Sequence, residues 1–244
     1  MKSPVIITGF HRSGTSAVAR AFHSAGVVLG TDLIGAEPAN PYGHFEDVEV
    51  VALHDALLAS EGLTWKSTDP VANRAPIAQA IERYRSERPP AQHWGVKDPR
   101  ICLFLHEWVE VLPDASVVFV VRPPGPSIAS LHRRHARRHV FSEGIDPSDL
   151  EFWRDPDLGL KLWCHYHEQA LPTLTTHPHT TIIDYADPDG ADKLITAELT
   201  RQALDPDRST PLDRELGLIA TIDVYDSSLI DRARSLWATL TAST

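Results

Sequence analysis

The feature that most constrains the fold is a glycine-bracketed turn near the amino terminus. Residues 5–7 read Val-Ile-Ile, a β-branched run that is typical of a buried strand. Residues 16–22 are good helix formers with apolar spacing, and Gly9 and Gly14 bracket the turn between the two runs. A strand, a tight turn and a helix N-terminus direct several backbone N–H groups and the positive end of the helix dipole at one point. The sequence therefore predicts an anion-binding loop that suits a phosphate or a sulfate.

This turn differs from the usual nucleotide-binding loop in the position of its cation. The common form, G-x-x-x-x-G-K-S/T, has a lysine directly after the second glycine. Here Thr15 takes that position, and Arg12 inside the turn is the cation. A guanidinium stays charged and offers a planar set of donors to phosphoryl or sulfuryl oxygens. Hydroxyl groups on Ser13, Thr15 and Ser16 favour an anion site over a chance turn.

The composition of the 244-residue chain is that of an ordinary globular protein, and its length suits one domain over residues 1–244. Its formal net charge of −10 makes nucleic acids and sulfated polysaccharides poor partners. The chain has two cysteines, too few for a disulfide framework or a four-cysteine zinc site, and it has no H-E-x-x-H spacing for a metal.

No run in the sequence is apolar for long enough to cross a membrane, and the first strand begins too close to Met1 for a signal peptide. We therefore expect a cytoplasmic protein without a transmembrane segment. The sequence carries no signal for the oligomeric state.

Apolar strands alternate with helical patterns along most of the chain. The clearest strand is residues 116–121, which are apolar almost throughout, as in a sheet covered on both faces. Shorter strands are predicted from Trp94 and over residues 180–185. Helices are predicted over residues 48–58, 77–87, 101–112, 127–138, 158–174, 191–204 and 227–240. This alternation predicts an α/β fold with a central, mainly parallel sheet flanked by helices.

Basic side chains follow two of the predicted strands. Lys97 lies in the turn after the short strand, and Arg122 directly follows residues 116–121. Ligands of open α/β sheets bind beyond the carboxyl ends of the strands, where the glycine turn also lies. Ser130 lies two turns into the next helix, with Arg134 one turn further on the same face. These side chains could converge on a phosphate, although a solvated basic helix would explain Ser130 and Arg134 taken alone.

Taken together, these motifs resemble those of sulfotransferases that use 3'-phosphoadenosine-5'-phosphosulfate (PAPS). Residues 12–16 are similar to the 5'-phosphosulfate loop of that family, Lys/Arg-Ser/Thr-Gly-Thr-Ser/Thr. Arg122 and Ser130 resemble the arginine and the serine that bind the 3'-phosphate of the donor. Arg134 resembles a further arginine of the tyrosylprotein sulfotransferases.

Two later segments extend the resemblance over residues 6–185. Residues 96–99, Val-Lys-Asp-Pro, are similar to the Asn-Lys-Asp-Pro segment of the tyrosylprotein enzymes, whose lysine contacts the bridge of the phosphosulfate. Tyr185 matches the tyrosine of a Tyr-Glu pair near the nucleotide, whereas Ala186 replaces the glutamate.

The resemblance implies a P-loop-NTPase-like sulfotransferase fold and a transfer of the sulfuryl group from PAPS to a hydroxyl or amine. The product nucleotide would be adenosine 3',5'-bisphosphate (PAP), no metal would be needed, and the acceptor would be a small molecule, a sugar or a lipid. Arg12 and Lys97 would neutralise charge on the transferring group. The nucleotide would be held by Arg12, Ser13, Gly14, Thr15, Ser16, Arg122, Ser130, Arg134 and Tyr185.

An acceptor hydroxyl also needs a general base. Many sulfotransferases use a histidine shortly after the lysine, but a proline and an arginine stand there in this chain. Tyrosylprotein and heparan-type enzymes use a glutamate in the segment after the first helix, which makes Glu46 the first candidate. His44 is the second, because its pKa is naturally near the working pH. Glu37 and Asp47 are weaker candidates, and negative charge at a helix N-terminus would also explain Glu46 and Asp47.

The acceptor side is expected to include segments 31–47 and 140–157, which are rich in proline and polar residues and are predicted to be mobile. Aromatic residues in loop-rich segments could line the acceptor pocket, although core packing is the better interpretation of Phe45. These residues are Tyr42, Phe45, Trp65 and Trp153.

Two other functions stay open on the sequence. An ATP-dependent small-molecule kinase could use the same type of sheet, but Thr15 replaces the loop lysine and Arg122, not an aspartate, follows the strong strand. A nucleotide-binding protein without catalytic activity would bind the ligand and show no turnover.

Overall fold

A sheet of four parallel strands forms the centre of the molecule. The computed structural model describes residues 2–36, 40, 42–88, 92–141, 150–212, 222, 224 and 226–242. Within these residues the strand order is β2-β1-β3-β4. The strands are β1 (Val5–Thr8), β2 (Gly95–Lys97), β3 (Ser116–Val121) and β4 (Thr180–Asp184). Because all pairs are parallel, the carboxyl ends of the strands meet at one edge of the sheet.

The register places three predicted site segments next to one another. Strand β1 lies between β2 and β3, and Ile7 is opposite both Lys97 and Val118. The glycine turn that follows β1 therefore lies between the turn after β2 and the residues after β3. Strand β3 is buried along its whole length, as the sequence predicts for a strand covered on both faces.

Helices cover both faces of this sheet. They are α1 (Thr15–Ser24), α2 (Val48–Ala59), α3 (Ala75–Ser86), α4 (Ile101–Val111), α5 (Pro124–Phe141), α6 (Glu151–Arg154), α7 (Leu158–Thr176), α8 (Pro188–Arg201) and α9 (Ser227–Thr241). Ile6 and Phe119 face a core that includes α4 and α7, whereas Ile7 and Val120 face a second core formed with α1 and α8. The α/β fold with a parallel sheet is thus confirmed.

Three helices begin earlier than the sequence predicts, for one shared reason. Helix α3 begins at Ala75, α5 at Pro124 and α8 at Pro188, each two or three residues before the predicted start. Each of these helices has a proline in its first turn, where a missing N–H leaves no intrahelical bond unmade and the fixed φ suits the helix. The predicted starts at residues 77, 127 and 191 were therefore two or three residues too late.

The two segments predicted to be mobile contain ordered contacts. Segment 140–157 includes the short helix α6, whose Phe152 is buried against His135 at 4.8 Å between ring centroids. In segment 31–47, Leu33 and Asp47 form an isolated antiparallel bridge. Residues 37–39, 41 and 142–149 lie outside the described residues. None of the described helices combines the length and the apolar character of a membrane span.

Candidate active site

A cavity of about 260 Å³ lies at the carboxyl edge of the sheet. Its walls include residues that follow all four strands, together with part of α5, the first turns of α1 and the described residues 40 and 42–46. Eleven of the twelve site residues that the sequence predicts line this cavity: Arg12, Gly14, Thr15, Ser16, His44, Glu46, Lys97, Arg122, Ser130, Arg134 and Tyr185. The twelfth, Ser13, is buried beneath the turn, and its Oγ has no hydrogen-bond partner among the described residues.

The glycine turn brings backbone donors close to an aromatic ring. Gly14 has a φ of 97°, and a Cβ at this position would lie 2.5 Å from the ring of Tyr185. Glycine is therefore required here both by the left-handed backbone and by the approach of Tyr185. Among the described residues no side chain caps the N-terminus of α1, which begins at Thr15, so its first N–H groups remain suited to an anion.

Hydrogen bonds join the glycine turn to the basic residues that follow β3. Arg12 Nε donates to Ser130 Oγ at 3.1 Å, across 118 positions of sequence. Arg122 Nη1 donates to the carbonyl oxygen of Arg12 at 3.2 Å, and the carbonyl of Arg122 accepts from Trp163 Nε1. The two basic groups that the sequence predicts for the ends of the nucleotide therefore meet in one cavity.

Lys97 and Glu46 form a close ion pair on the other side of the turn. Lys97 Nζ lies 2.6 Å from Glu46 Oε1 and donates to Ser16 Oγ at 3.2 Å. Exposure is 2% for the Lys97 side chain and 12% for that of Glu46, so bulk water screens this pair weakly. His44 Nδ1 is 4.0 Å from the same carboxylate oxygen. The lysine and both candidate bases thus share one wall.

Asp47, which follows Glu46, is buried and does not line the cavity. Its carboxylate accepts from the backbone N–H groups of Thr31 and Glu49, from Tyr84 Oη at 3.1 Å and from Arg88 Nη2 at 3.3 Å. These four bonds cap α2 and hold segment 31–47 against α3. Of the two weaker candidates for the base, Asp47 therefore has a structural role, and Glu37 lies outside the described residues.

Asp98, which follows Lys97, is likewise buried. It accepts from His54 Nδ1 at 3.1 Å and from the guanidinium of Arg100, while Trp108 Nε1 donates to His54 Nε2. The Trp108 bond leaves the His54 proton on Nδ1, facing Asp98. Burial would raise the pKa of Asp98, but Arg100 and His54 outweigh it and hold that pKa well below its usual range. Since Asp47 caps α2 and His54 lies on it, one helix supports both members of the ion pair.

Sequence reasoning missed two titratable residues that line the cavity, His11 and Arg20. His11 packs against Trp65 with 4.5 Å between ring centroids and 50° between the ring planes. Its pKa is lowered by burial and by Arg100, so the ring is neutral at pH 7. Its place inside the glycine turn was an available signal. Arg20 lies four residues after Ser16 on α1, and this helical spacing puts both on one face.

The aromatic residues proposed for the acceptor side have different environments. Tyr42 lines the cavity, and Phe45 packs against the core below α1. Trp65 contacts His11, whereas Trp153 is largely exposed.

Comparison with known proteins identifies the family. The model of the sulfotransferase family matches residues 4–184, which include the glycine turn, the Lys97 turn and Arg122. The chain belongs to the sulfotransferase family. A search of curated proteins gives no match to this sulfotransferase-family chain.

Solved structures share its fold at low sequence identity. A sulfotransferase from Alicyclobacillus acidocaldarius has a TM-score of 0.52 and 10% identity, with 99% of this chain and 94% of that chain covered. Sulfotransferase STF9 from Mycobacterium avium has a TM-score of 0.52 and 13% identity, with 98% and 68% covered. The sulfotransferase domain of the Synechococcus PCC 7002 olefin synthase has a TM-score of 0.50 and 15% identity, with 96% and 94% covered. The fold is that of the P-loop-like sulfotransferases, and family and fold together support a role in sulfuryl transfer.

Proposed function

We propose that this protein transfers a sulfuryl group from PAPS to a hydroxyl or amine of a small-molecule, sugar or lipid acceptor, with PAP as the product. The observation that carries the proposal is the pair of hydrogen bonds from Arg12 to Ser130 and from Arg122 to Arg12. These bonds hold the guanidinium groups of Arg12 and Arg122 in one cavity, beside the uncapped N-terminus of α1. Such a cavity suits a nucleotide that carries anionic groups at two separate positions.

The residues present fit this donor. The uncapped first turn of α1 and the buried, unbonded hydroxyl of Ser13 offer donors to the 5'-phosphate. Arg122, Ser130 and Arg134 would hold the 3'-phosphate, and Tyr185 would lie against the nucleoside. Bound PAPS supplies an activated sulfuryl group.

The chemistry required of the protein is electrostatic stabilisation and removal of one proton. Arg12 and Lys97 would stabilise negative charge on the transferring group, and the burial of Lys97 makes its charge more effective than it would be in water. Glu46 would accept the proton of the acceptor hydroxyl or amine, with His44 as the alternative. Because Lys97 is bonded to Glu46, an anion that attracts Lys97 would also free this carboxylate to act as a base.

A kinase is the less favoured reaction. Transfer from ATP uses magnesium held partly by a carboxylate near the phosphates. Glu46 is the single described carboxylate that lines the cavity, and it is already bonded to Lys97. Thr15 also occupies the position of the loop lysine.

Transfer of radiolabelled sulfate tests the proposal. The protein is incubated in EDTA with 35S-labelled PAPS and a panel of phenols, alcohols, sugars and amines, and labelled products and PAP are quantified. We expect labelled product from the wild type and a fall of roughly 10²–10³-fold in Lys97→Met, since one stabilising donor is lost. Lys161→Met is the matched control, because Lys161 pairs with Asp155 outside the cavity.

Two outcomes would contradict sulfuryl transfer. Phosphoryl transfer from magnesium ATP would indicate a kinase, and tight PAP binding without transfer to any acceptor would indicate a protein that only binds nucleotide. With an acceptor in hand, Glu46→Gln and His44→Gln are compared at saturating PAPS. We expect the larger loss of rate from Glu46→Gln.

A further inference from the structure

Arg20 is a cation of the cavity that has no hydrogen bond or ion pair with the described residues. Its Nε is buried without a partner, and its guanidinium lies over the ring of Tyr42, 4.1 Å from the centroid. Both residues line the cavity. By contrast, Arg88 pairs with Asp47 and Arg100 with Asp98. Because a buried donor without an acceptor is costly, Arg20 Nε favours a hydrogen-bond acceptor that enters the cavity.

The contacts of Ser16 place Arg20 on the same side as the candidate base. Ser16 Oγ is bonded to Lys97 Nζ, to Asn40 Nδ2 and to the carbonyl of His44. Arg20 follows on the same helix face, one turn further. Tyr185, in contrast, lies against Gly14 and faces Arg122, with 6.0 Å between the guanidinium and the ring. Arg20 is therefore on the Glu46 side of the turn, away from the nucleoside.

We propose that Arg20 and Tyr42 form a site for an oxyanion group of the acceptor, a carboxylate or a phosphate ester. This inference rests on the proposed function, in which the anionic groups of the donor are held by Arg12, Lys97, Arg122 and Arg134. Arg20 is not needed for that set. Stacking on Tyr42 fixes the plane of the guanidinium and leaves its N–H edge available to two oxygens.

The net charge of the whole chain further restricts the class of acceptor. A net charge of −10 repels polyanions, so a single oxyanion group drawn to a local cation is favoured over a sulfated polymer. Tyr42 is 60% exposed, which places this site at the mouth of the cavity. The acceptor thus presents its nucleophile to Glu46 and its anionic group to Arg20.

The experiment begins with calorimetric titration of PAP into the wild type, Arg20→Gln and the control Arg83→Gln, an exposed arginine on α3. We expect the three dissociation constants to agree within roughly twofold. Crystals of each PAP complex are then soaked in selenate, which anomalous scattering locates. We expect selenate at residue 20 in the wild type and in Arg83→Gln, and its loss from Arg20→Gln.

Several results would overturn the inference. If Arg20→Gln weakens PAP binding roughly tenfold or more, Arg20 belongs to the nucleotide site. If the wild-type PAP complex shows no selenate at Arg20, the proposed oxyanion site does not exist. If selenate persists at this place in Arg20→Gln, it is an adventitious ion only. Failure of the wild type to bind PAP is a separate result, which refutes the proposed function and this inference with it.

Competition then distinguishes the two sources of the oxyanion. Acetate and methyl phosphate are each added to the selenate soak of the wild-type PAP complex. Displacement of selenate by acetate identifies a carboxylate acceptor, and displacement by methyl phosphate identifies a phosphate ester. If neither compound displaces selenate, the assignment of the site to a carboxylate or a phosphate ester is wrong.

Discussion

The two halves of the cavity are built in different ways. The nucleotide half, named for its role in the proposed function, consists of the glycine turn, Arg122 and Tyr185, which directly follow parallel strands, and of Ser130 on α5. The acceptor half includes Tyr42, His44 and Glu46, which lie in an irregular segment with neither helix nor strand. In the proposed function, the sheet edge thus presents the groups for the donor, whereas a surface segment presents the groups for the acceptor.

The acceptor half therefore depends on a few anchoring contacts. Hydrogen bonds to the Asp47 carboxylate from Tyr84 on α3 and from Arg88, two residues after α3, hold its segment in place. Gly30, with a φ of 155°, makes room for that carboxylate, because a Cβ there would lie 2.4 Å from Asp47 Oδ2. We therefore expect that the sheet edge can keep the proposed donor site while changes in this short segment alter which acceptor binds.

The largest effect is expected from Asp98→Asn, which acts where the sheet supports Lys97. Removing the charge leaves Arg100 and His54 without their buried partner, at a cost of about 3–5 kcal/mol in the free energy of unfolding. Urea denaturation measures this cost, with the exposed Asp55→Asn as control. A loss of unfolding free energy below about 1 kcal/mol would show that the turn after β2 does not depend on the Asp98 contacts with Arg100 and His54.

The same variant has a predicted pH signature. Because the pKa of Asp98 is lower in the folded protein than in the unfolded chain, its stabilisation is complete above about pH 5. It is lost as the pH falls through the unfolded value, about 3.9, towards the folded pKa. Unfolding free energy measured from pH 6 to pH 3 should therefore fall less steeply in Asp98→Asn than in the wild type.

Asp47→Asn tests the acceptor half and is expected to cost about 2 kcal/mol of stability, since hydrogen bonds to a charged acceptor are weakened. Its distinguishing result is functional. The rate at saturating PAPS should fall because Glu46 is displaced, while the dissociation constant of PAP stays unchanged. Equal losses of rate and of PAP affinity would show that the two halves are not independent.

Arg122→Gln tests the nucleotide half, and here we expect the affinity for PAP to change, whereas in Asp47→Asn it stays unchanged. PAP affinity should weaken roughly 10–100-fold, about 1.5–3 kcal/mol, because a charge-assisted contact to the 3'-phosphate is lost. Stability should change little, and calorimetry and thermal melting report the two quantities. Arg133→Gln, an exposed arginine on α5, is the matched control. An unchanged affinity for PAP would remove Arg122 from the nucleotide site.

The difference between the two halves also explains how much of the candidate site the sequence could predict. The nucleotide half has local signals: a glycine turn after an apolar run, and a basic residue at the end of an apolar strand. The acceptor half depends on packing between distant elements. Asp47 is held by Tyr84 across 37 positions, and Arg20 joins the cavity only because segment 40–46 folds over α1. Neither contact has a spacing that a single sequence reveals.

The proposed function requires one nucleotide to be held at both of its phosphates, and calorimetry in EDTA tests this most directly. PAP and adenosine 5'-monophosphate, which lacks the 3'-phosphate, are titrated into the wild type. We predict binding of PAP without added metal and at least roughly tenfold tighter than binding of the monophosphate. Equal affinities, or binding of PAP that requires magnesium, would contradict the account.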